Sequence, residues 1–157
     1  MLIKKSEIKI IPLFDSLNFQ DLESFAQVIE IRIYEEGELI FNENKGGSSL
    51  YIIYSGKVEI NRIIQGEKKQ TLTILKPPEF FGSLSFMDRK PHSATAVAEE
   101  AAKIFILKRD DFNSLMEKHP SACYTIVHRI AQSIASLVRE MDQQYIDMVR
   151  FAYTGNP

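Results

Sequence analysis

The sequence predicts an all-β barrel or roll held between helical ends. Three observations lead there. Between residues 31 and 107, short β-branched and aromatic runs recur at regular spacing, with Gly, Pro or polar turn signals between them. On either side of that region the apolar period changes to that of a helix. The chain has 157 residues, 45% hydrophobic and 25% charged, which is enough for one globular domain with a substantial core.

The elements follow in order. Residues Ser6 to Ile11 are mixed in character and end at Pro12. Leu13 and Phe14 form an apolar pair. Asn18 can cap a helix over roughly 19–29, with Asp21 at its favourable N-terminal end and Leu22, Phe25, Ala26 and Ile29 at helical spacing. Ile31 and Ile33, then Leu39, Ile40 and Phe41, read as two short strands around Gly37. Asn44 to Ser48 is a loop. Leu50 to Tyr54 is a strand, Ser55-Gly56 a turn, and Val58, Ile60, Arg62 and Ile64 alternate as another strand. Gln65 to Lys69 is a polar hairpin tip, and Thr71 to Leu75 is the returning strand. Further strands are expected at 94–98 and 103–107. From Asp110 the helical period returns with Phe112, Leu115 and Met116, and His119-Pro120 breaks it.

A long helix is then expected from about Ser121 to about Phe151. Val127, Ile130, Ile134, Leu137, Met141, Met148 and Phe151 fit an alternating three-and-four spacing, with Gln144 as the polar exception. A second stripe, Ala131, Ala135, Val138 and Tyr145, lies beside it. The alternative is one broad amphipathic face buried on the chain's own core. Length argues for a second copy: roughly thirty residues at 1.5 Å each make about 45 Å. The expectation is a homodimer through this helix.

Residues 80–95 hold the densest signal. Phe80 and Phe81 end a strand-like run. Gly82 follows, then Ser83, Leu84, Ser85 and Phe86, which can wind one helical turn that Pro91 stops. A Gly before a short helix leaves backbone N–H groups unpartnered and aligned, a cradle for an anion such as phosphate. A tight turn with nothing bound is the simple alternative.

Composition removes several function classes. Net charge is −2 and no Lys/Arg run exceeds two, so a nucleic-acid partner is not favoured. Cys123 stands alone, which excludes an internal disulfide and a multi-cysteine metal site. No apolar run reaches a membrane span, and Met1 to Lys5 is not followed by a signal-peptide core. The expectation is a cytoplasmic protein with a natural N-terminus. There is no G-x-S-x-G, P-loop or Rossmann fingerprint. Of the three His residues, His119 and His128 fall on or beside the C-terminal helices and not on paired strands, so no metal cofactor is expected. His128 reads as a packed or surface helix residue, and Cys123 as buried filler.

In order and spacing, these residues resemble the cyclic-nucleotide-binding domain family, closest to sensors of the Crp/Fnr type. Pro12 to Leu17 is similar to the family's first helix motif, Gly37 to Phe41 to its first Gly turn, and Leu50 to Ile60 to its central strand-turn-strand. Phe80-Phe81-Gly82 and Ser93-Ala94-Thr95 frame a segment similar to its phosphate-binding cassette. Asp110-Asp111-Phe112 and His119-Pro120 lead into a matching long helix. The resemblance implies a single domain over 1–157, mainly β with flanking helices. An N-terminal helical part would span 6–30, an eight-stranded, jelly-roll-like β-roll (a double-stranded β-helix) 31–108, and C-terminal helices 110–152.

The resemblance also implies a ligand site formed by Phe81, Gly82, Ser83, Leu84, Ser85, His92, Ser93, Ala94 and Thr95. In the family a Glu follows the cassette Gly and binds the ribose 2′-OH. An Arg precedes the Ser/Ala-Ala-Thr run and pairs with the cyclic phosphate. Here those positions are Ser83 and His92. Each departure removes a charge-assisted contact worth about 1.5–3 kcal/mol, together roughly a hundredfold to ten-thousandfold in affinity. His92, a loop residue following Pro91, is expected to be exposed. If it faces the cradle, it would pair with an anion only when protonated, at lower pH. The sequence reaches Pro157, where Crp/Fnr regulators continue into a DNA-binding unit, so the expectation is a sensor domain of that type, either a stand-alone module or part of a longer chain. Two functions are weighed. One is a regulatory module that binds cAMP or cGMP weakly, or another small anion, and signals through its C-terminal helix to an unidentified protein partner. The other is a ligand-free dimerisation module of the same fold.

Overall fold

The computed structural model describes residues 3–66 and 68–154. The hairpin-tip residue Glu67, the N-terminal Met1-Leu2 and residues 155–157 lie outside it. The chain divides into two compact units, Met1–Cys123 and Tyr124–Pro157.

The first unit opens with α1 (Lys5–Lys9) and α2 (Phe19–Val28). Asn18 caps α2 as its sequence predicts, its side chain accepting from the Asp21 N–H at 2.9 Å. Eight strands follow among the described residues. They are β1 (Glu30–Tyr34), β2 (Leu39–Phe41), β3 (Ser49–Ser55), β4 (Val58–Gln65), β5 (Lys68–Leu75), β6 (Phe80–Phe81), β7 (Thr95–Ala98) and β8 (Ala102–Lys108). A short α3 (Ser83–Asp88) interrupts them, and α4 (Arg109–Lys118) and α5 (Pro120–Thr154) close the chain. The strands pair antiparallel into two four-stranded sheets, ordered β1-β8-β3-β6 and β2-β7-β4-β5. This is the β-roll with flanking helices that the sequence predicts.

The two sheets share one core. Tyr34, Ile53, Phe81, Ile104 and Ile106 of one sheet meet Val58, Ala96 and Ala98 of the other, with Phe41, Tyr51, Ile60 and Leu75 packed at its margin. Strand β8 is buried on both faces, so Phe105 and Leu107 read as a continuous apolar run rather than an alternation. A second cluster ties the helices together: Phe14 on Phe25 at 5.5 Å, Phe25 on Phe112 at 6.4 Å, and Phe112 edge-on to Phe86 of α3 at 5.3 Å.

Two expected boundaries move. Strand β5 begins at Lys68 rather than Thr71, because polar residues can extend an exposed hairpin whose backbone bonds suffice. Helix α3 ends at Arg89, which adopts φ +60°, two residues before the Pro91 that was expected to stop it. In the second unit, residues 124–154 continue α5 as one helix. Tyr124 stacks over His128 one turn on, with centroids 5.9 Å apart. Among the described residues no helix is long and apolar enough to cross a membrane.

Candidate functional site

The cassette starts where β6 ends. Gly82 takes φ +74°, ψ 8°, and turns the chain from strand into helix. An added Cβ there would lie 2.9 Å from both the Ser49 carbonyl oxygen and the Tyr51 ring, so the position needs glycine for conformation and for space. The helical ladder of α3 begins with Phe86 N–H donating to Gly82 O at 2.9 Å. The N–H groups of Ser83, Leu84 and Ser85 therefore have no intrahelical acceptor, and among the described residues no side-chain cap bond is formed at this end. Ser83 is half-buried, Leu84 is 47% exposed and Ser85 is buried.

The other end of α3 is closed by protein. Arg109, first residue of α4, donates from Nη1 to Phe86 O at 2.7 Å and to Met87 O at 3.4 Å, while its Nε donates to Asn113 Oδ1 at 3.0 Å. A cation at a helix C-terminus is electrostatically favourable. This side chain was not singled out in the sequence; its one signal was its place at the start of a helix.

The residues after α3 divide. Ser93 is exposed and Ala94 half-buried. Thr95 is buried, and its Oγ1 accepts the Glu43 N–H at 2.9 Å, so that hydroxyl is already engaged. Its cross-strand neighbour Asn61 is buried too, with an Oδ1 lacking any hydrogen-bond partner.

His92 is the main correction. It is not an exposed loop residue but 3% exposed. Its ring lies flat on Phe41, with centroids 3.7 Å apart and planes 9° apart, and 6.4 Å from Tyr51. Phe81 completes the group, stacked on Tyr51 at 5.2 Å and 5.8 Å from Phe41. Gly47 makes the room: a Cβ there would sit 1.9 Å from His92 Nε2. Burial pushes the imidazole below its usual pKa and the Tyr51 phenol above its own. Phe41, Tyr51 and Gly47 read in the sequence only as strand and loop. The signal that could have found them is the Gly46-Gly47 pair, one of which serves packing rather than a turn.

A separate hydrogen-bonded chain joins α2 to the end of α4. Asp21 Oδ1 lies 2.7 Å from His119 Nδ1, and His119 Nε2 lies 2.9 Å from Ser24 Oγ. The order of groups is that of a hydrolytic triad. Ser24, however, sits inside α2, where main-chain N–H groups are spent on the helical ladder and cannot stabilise an oxyanion. The chain is read as a structural tie between helices. Cys123 is buried, and burial raises its thiol to about 11, which leaves it unreactive. Among the described residues no group of three or more His, Cys, Asp or Glu could hold a metal.

The seam residues of α5 differ in exposure. Val127 is half-buried, Ile130 buried and Ile134 half-buried, while Leu137, Met141 and Met148 are exposed. Val138, Tyr145 and Phe151 are exposed as well.

Residues 31–119, from β1 to the end of α4, match the cyclic nucleotide-binding domain. The chain belongs to that family. It is 32% identical over 145 residues to the cyclic AMP receptor protein of Thermus thermophilus, covering 92% of this chain and 65% of that protein. The crystal structure of the Thermus thermophilus catabolite activator protein resembles it with a TM-score of 0.75 at 33% identity, over 89% of this chain and 63% of that one. A cyclic nucleotide-binding domain from Methylobacillus flagellatus shares the fold at a TM-score of 0.80 and 19% identity, over 92% and 84% of the two chains. The chain thus spans just under two thirds of the length of the two Thermus proteins.

Proposed function

We propose that this chain is a regulatory sensing module whose cassette receives a small anion, a cyclic nucleotide bound weakly or a smaller phosphate or carboxylate, and whose C-terminal helix carries the response to a second copy or to a protein partner. The observation that supports it most is the first turn of α3: three main-chain N–H groups follow a left-handed Gly82 with no protein acceptor in the helix. Relatives named for cyclic AMP agree with the anion class. Ser83 and His92 argue for weak binding, since neither supplies the charge that Glu and Arg would. A switch also requires a ligand that favours one helix arrangement over another. The exposed Leu137, Met141, Tyr145 and Met148 favour homodimerisation along α5. The reading assigns no catalysis and no nucleic-acid contact, and it places the module in the cytoplasm.

The second reading is a ligand-free dimerisation module. The stack of His92 on Phe41 favours it, because a filled interior leaves less room for a guest. Calorimetric titration with cAMP and cGMP separates the two. Heat with millimolar affinity is expected, and the Ser83→Glu, His92→Arg double variant should bind more tightly by a hundredfold or more. No heat from either protein, together with a dimer by light scattering, would leave the second reading standing.

A further inference from the structure

His92 does more than replace an arginine; it occupies interior space. The residue is 3% exposed, its ring flat against Phe41 and seated over Gly47, whose missing side chain is the room it uses. Its main chain is pinned on both sides. Its N–H donates to Lys45 O at 2.9 Å, and its carbonyl accepts the Asn44 N–H at 2.8 Å. With N–H and C=O both held, rotation about the side-chain torsions is the motion left to it.

We propose that His92 is a built-in occupant of the cassette and an acid-operated gate: neutral, it lies on Phe41 and closes the interior; protonated, it leaves the stack and serves as the cation for an anion at the first turn of α3. This rests on the anion-binding reading above.

The charges around the ring fit. The titratable group facing it is the Tyr51 phenol. Glu43 is turned to the Arg62 Nε at 3.0 Å and the Ile63 N–H at 3.3 Å. Lys45 meets His92 through its carbonyl, and the Lys90 ammonium lies 3.6 Å from Asp88. Among the described residues no carboxylate pairs with the imidazole, so a proton on the stacked ring would be buried without a counter-charge. Burial alone lowers its pKa. Well above about pH 6.5 the ring is neutral in both positions and the stack is fully favoured. Below that, the released ring takes a proton that the stacked ring refuses, and the balance moves toward release by up to about tenfold per pH unit.

The test is NMR of the His ring protons of the full chain between pH 7.5 and 5.5, with His92→Ala to assign the signal. At pH 7.5 the His92 protons should be shifted by the Phe41 ring current, and the shift should vanish on acidification with a midpoint below about 6.5. Gly47→Ala, whose Cβ would collide with Nε2, should abolish the shift at every pH. cAMP, whose phosphodiester keeps one negative charge over this range, should bind at least tenfold more tightly at pH 5.5, and His92→Phe should remove that gain. A ring-current shift that persists at pH 5.5, or survives Gly47→Ala, overturns the gate. Equal cAMP binding at both pH values overturns the gate but sustains the anion site. Release without any cAMP binding overturns the gate as a binding switch together with the nucleotide reading.

Discussion

Arg109 Nη1 donates to the Phe86 carbonyl oxygen at 2.7 Å, so the first residue of α4 closes the last turn of the cassette helix. The guanidinium also lies 5.4 Å from the centre of the Phe86 ring, and that ring meets Phe112 of α4 edge-on. Charge, hydrogen bonding and aromatic packing all join α3 to α4. These contacts hold α3 and the start of α4 as one packed unit.

Removing that link should be measurable. Arg109→Met keeps the stem and deletes the donors, leaving the Phe86 carbonyl without its charged partner. The expected loss is about 1.5–3 kcal/mol, read as a lower urea midpoint at unchanged slope. Hydrogen exchange at residues 86–89 should quicken more than elsewhere. Unchanged exchange there would show that the packing of Phe86 alone holds α3.

Gly82→Ala should destabilise through main-chain geometry. Holding alanine at φ +74° costs about 1–2 kcal/mol, and its Cβ would meet the Ser49 carbonyl oxygen at 2.9 Å, a backbone atom of β3 that cannot swing aside. Gly47→Ala meets only a rotatable imidazole and should cost less. Thermal melts of the two variants check the order, and a smaller loss at Gly82 would contradict it.

The Glu7–Lys103 pair should shape the acid limb of stability. Glu7 Oε1 accepts from Lys103 Nζ at 2.8 Å, and its Oε2 accepts the Lys4 N–H at 3.0 Å. These bonds, the Lys103 one first, hold its carboxyl below the usual value of 4.5. A carboxylate with a lowered folded pKa contributes stability above its unfolded pKa, and that stability is lost as pH falls through the folded value. Glu7→Gln should thus be less stable than the parent at pH 6, and the gap should close toward pH 3. A gap independent of pH would mean that the ion pair contributes nothing.

Much of the fold was legible in one dimension. Asn18 before Leu22, Phe25 and Ala26 announced α2, and the runs at 50–54 and 58–64 announced β3 and β4, because helix and strand periods are local properties of the chain. Gly82 and the helical turn after it were legible for the same reason. The boundary at Arg89 was not, since a left-handed non-glycine residue follows from how α3 is packed, not from its composition.

Residues near in sequence determined the β-roll, its flanking helices and the presence of a cassette, since turn chemistry and apolar period act over a few positions. Whether His92 faces water or the interior depended on Phe41 and Gly47, about fifty and forty-five positions earlier. Only the closing of β2 against β7, and of the loop before β3 onto residue 92, brings those three together. A ring's burial is set by what surrounds it in space, and a linear pattern carries no record of neighbours that distant.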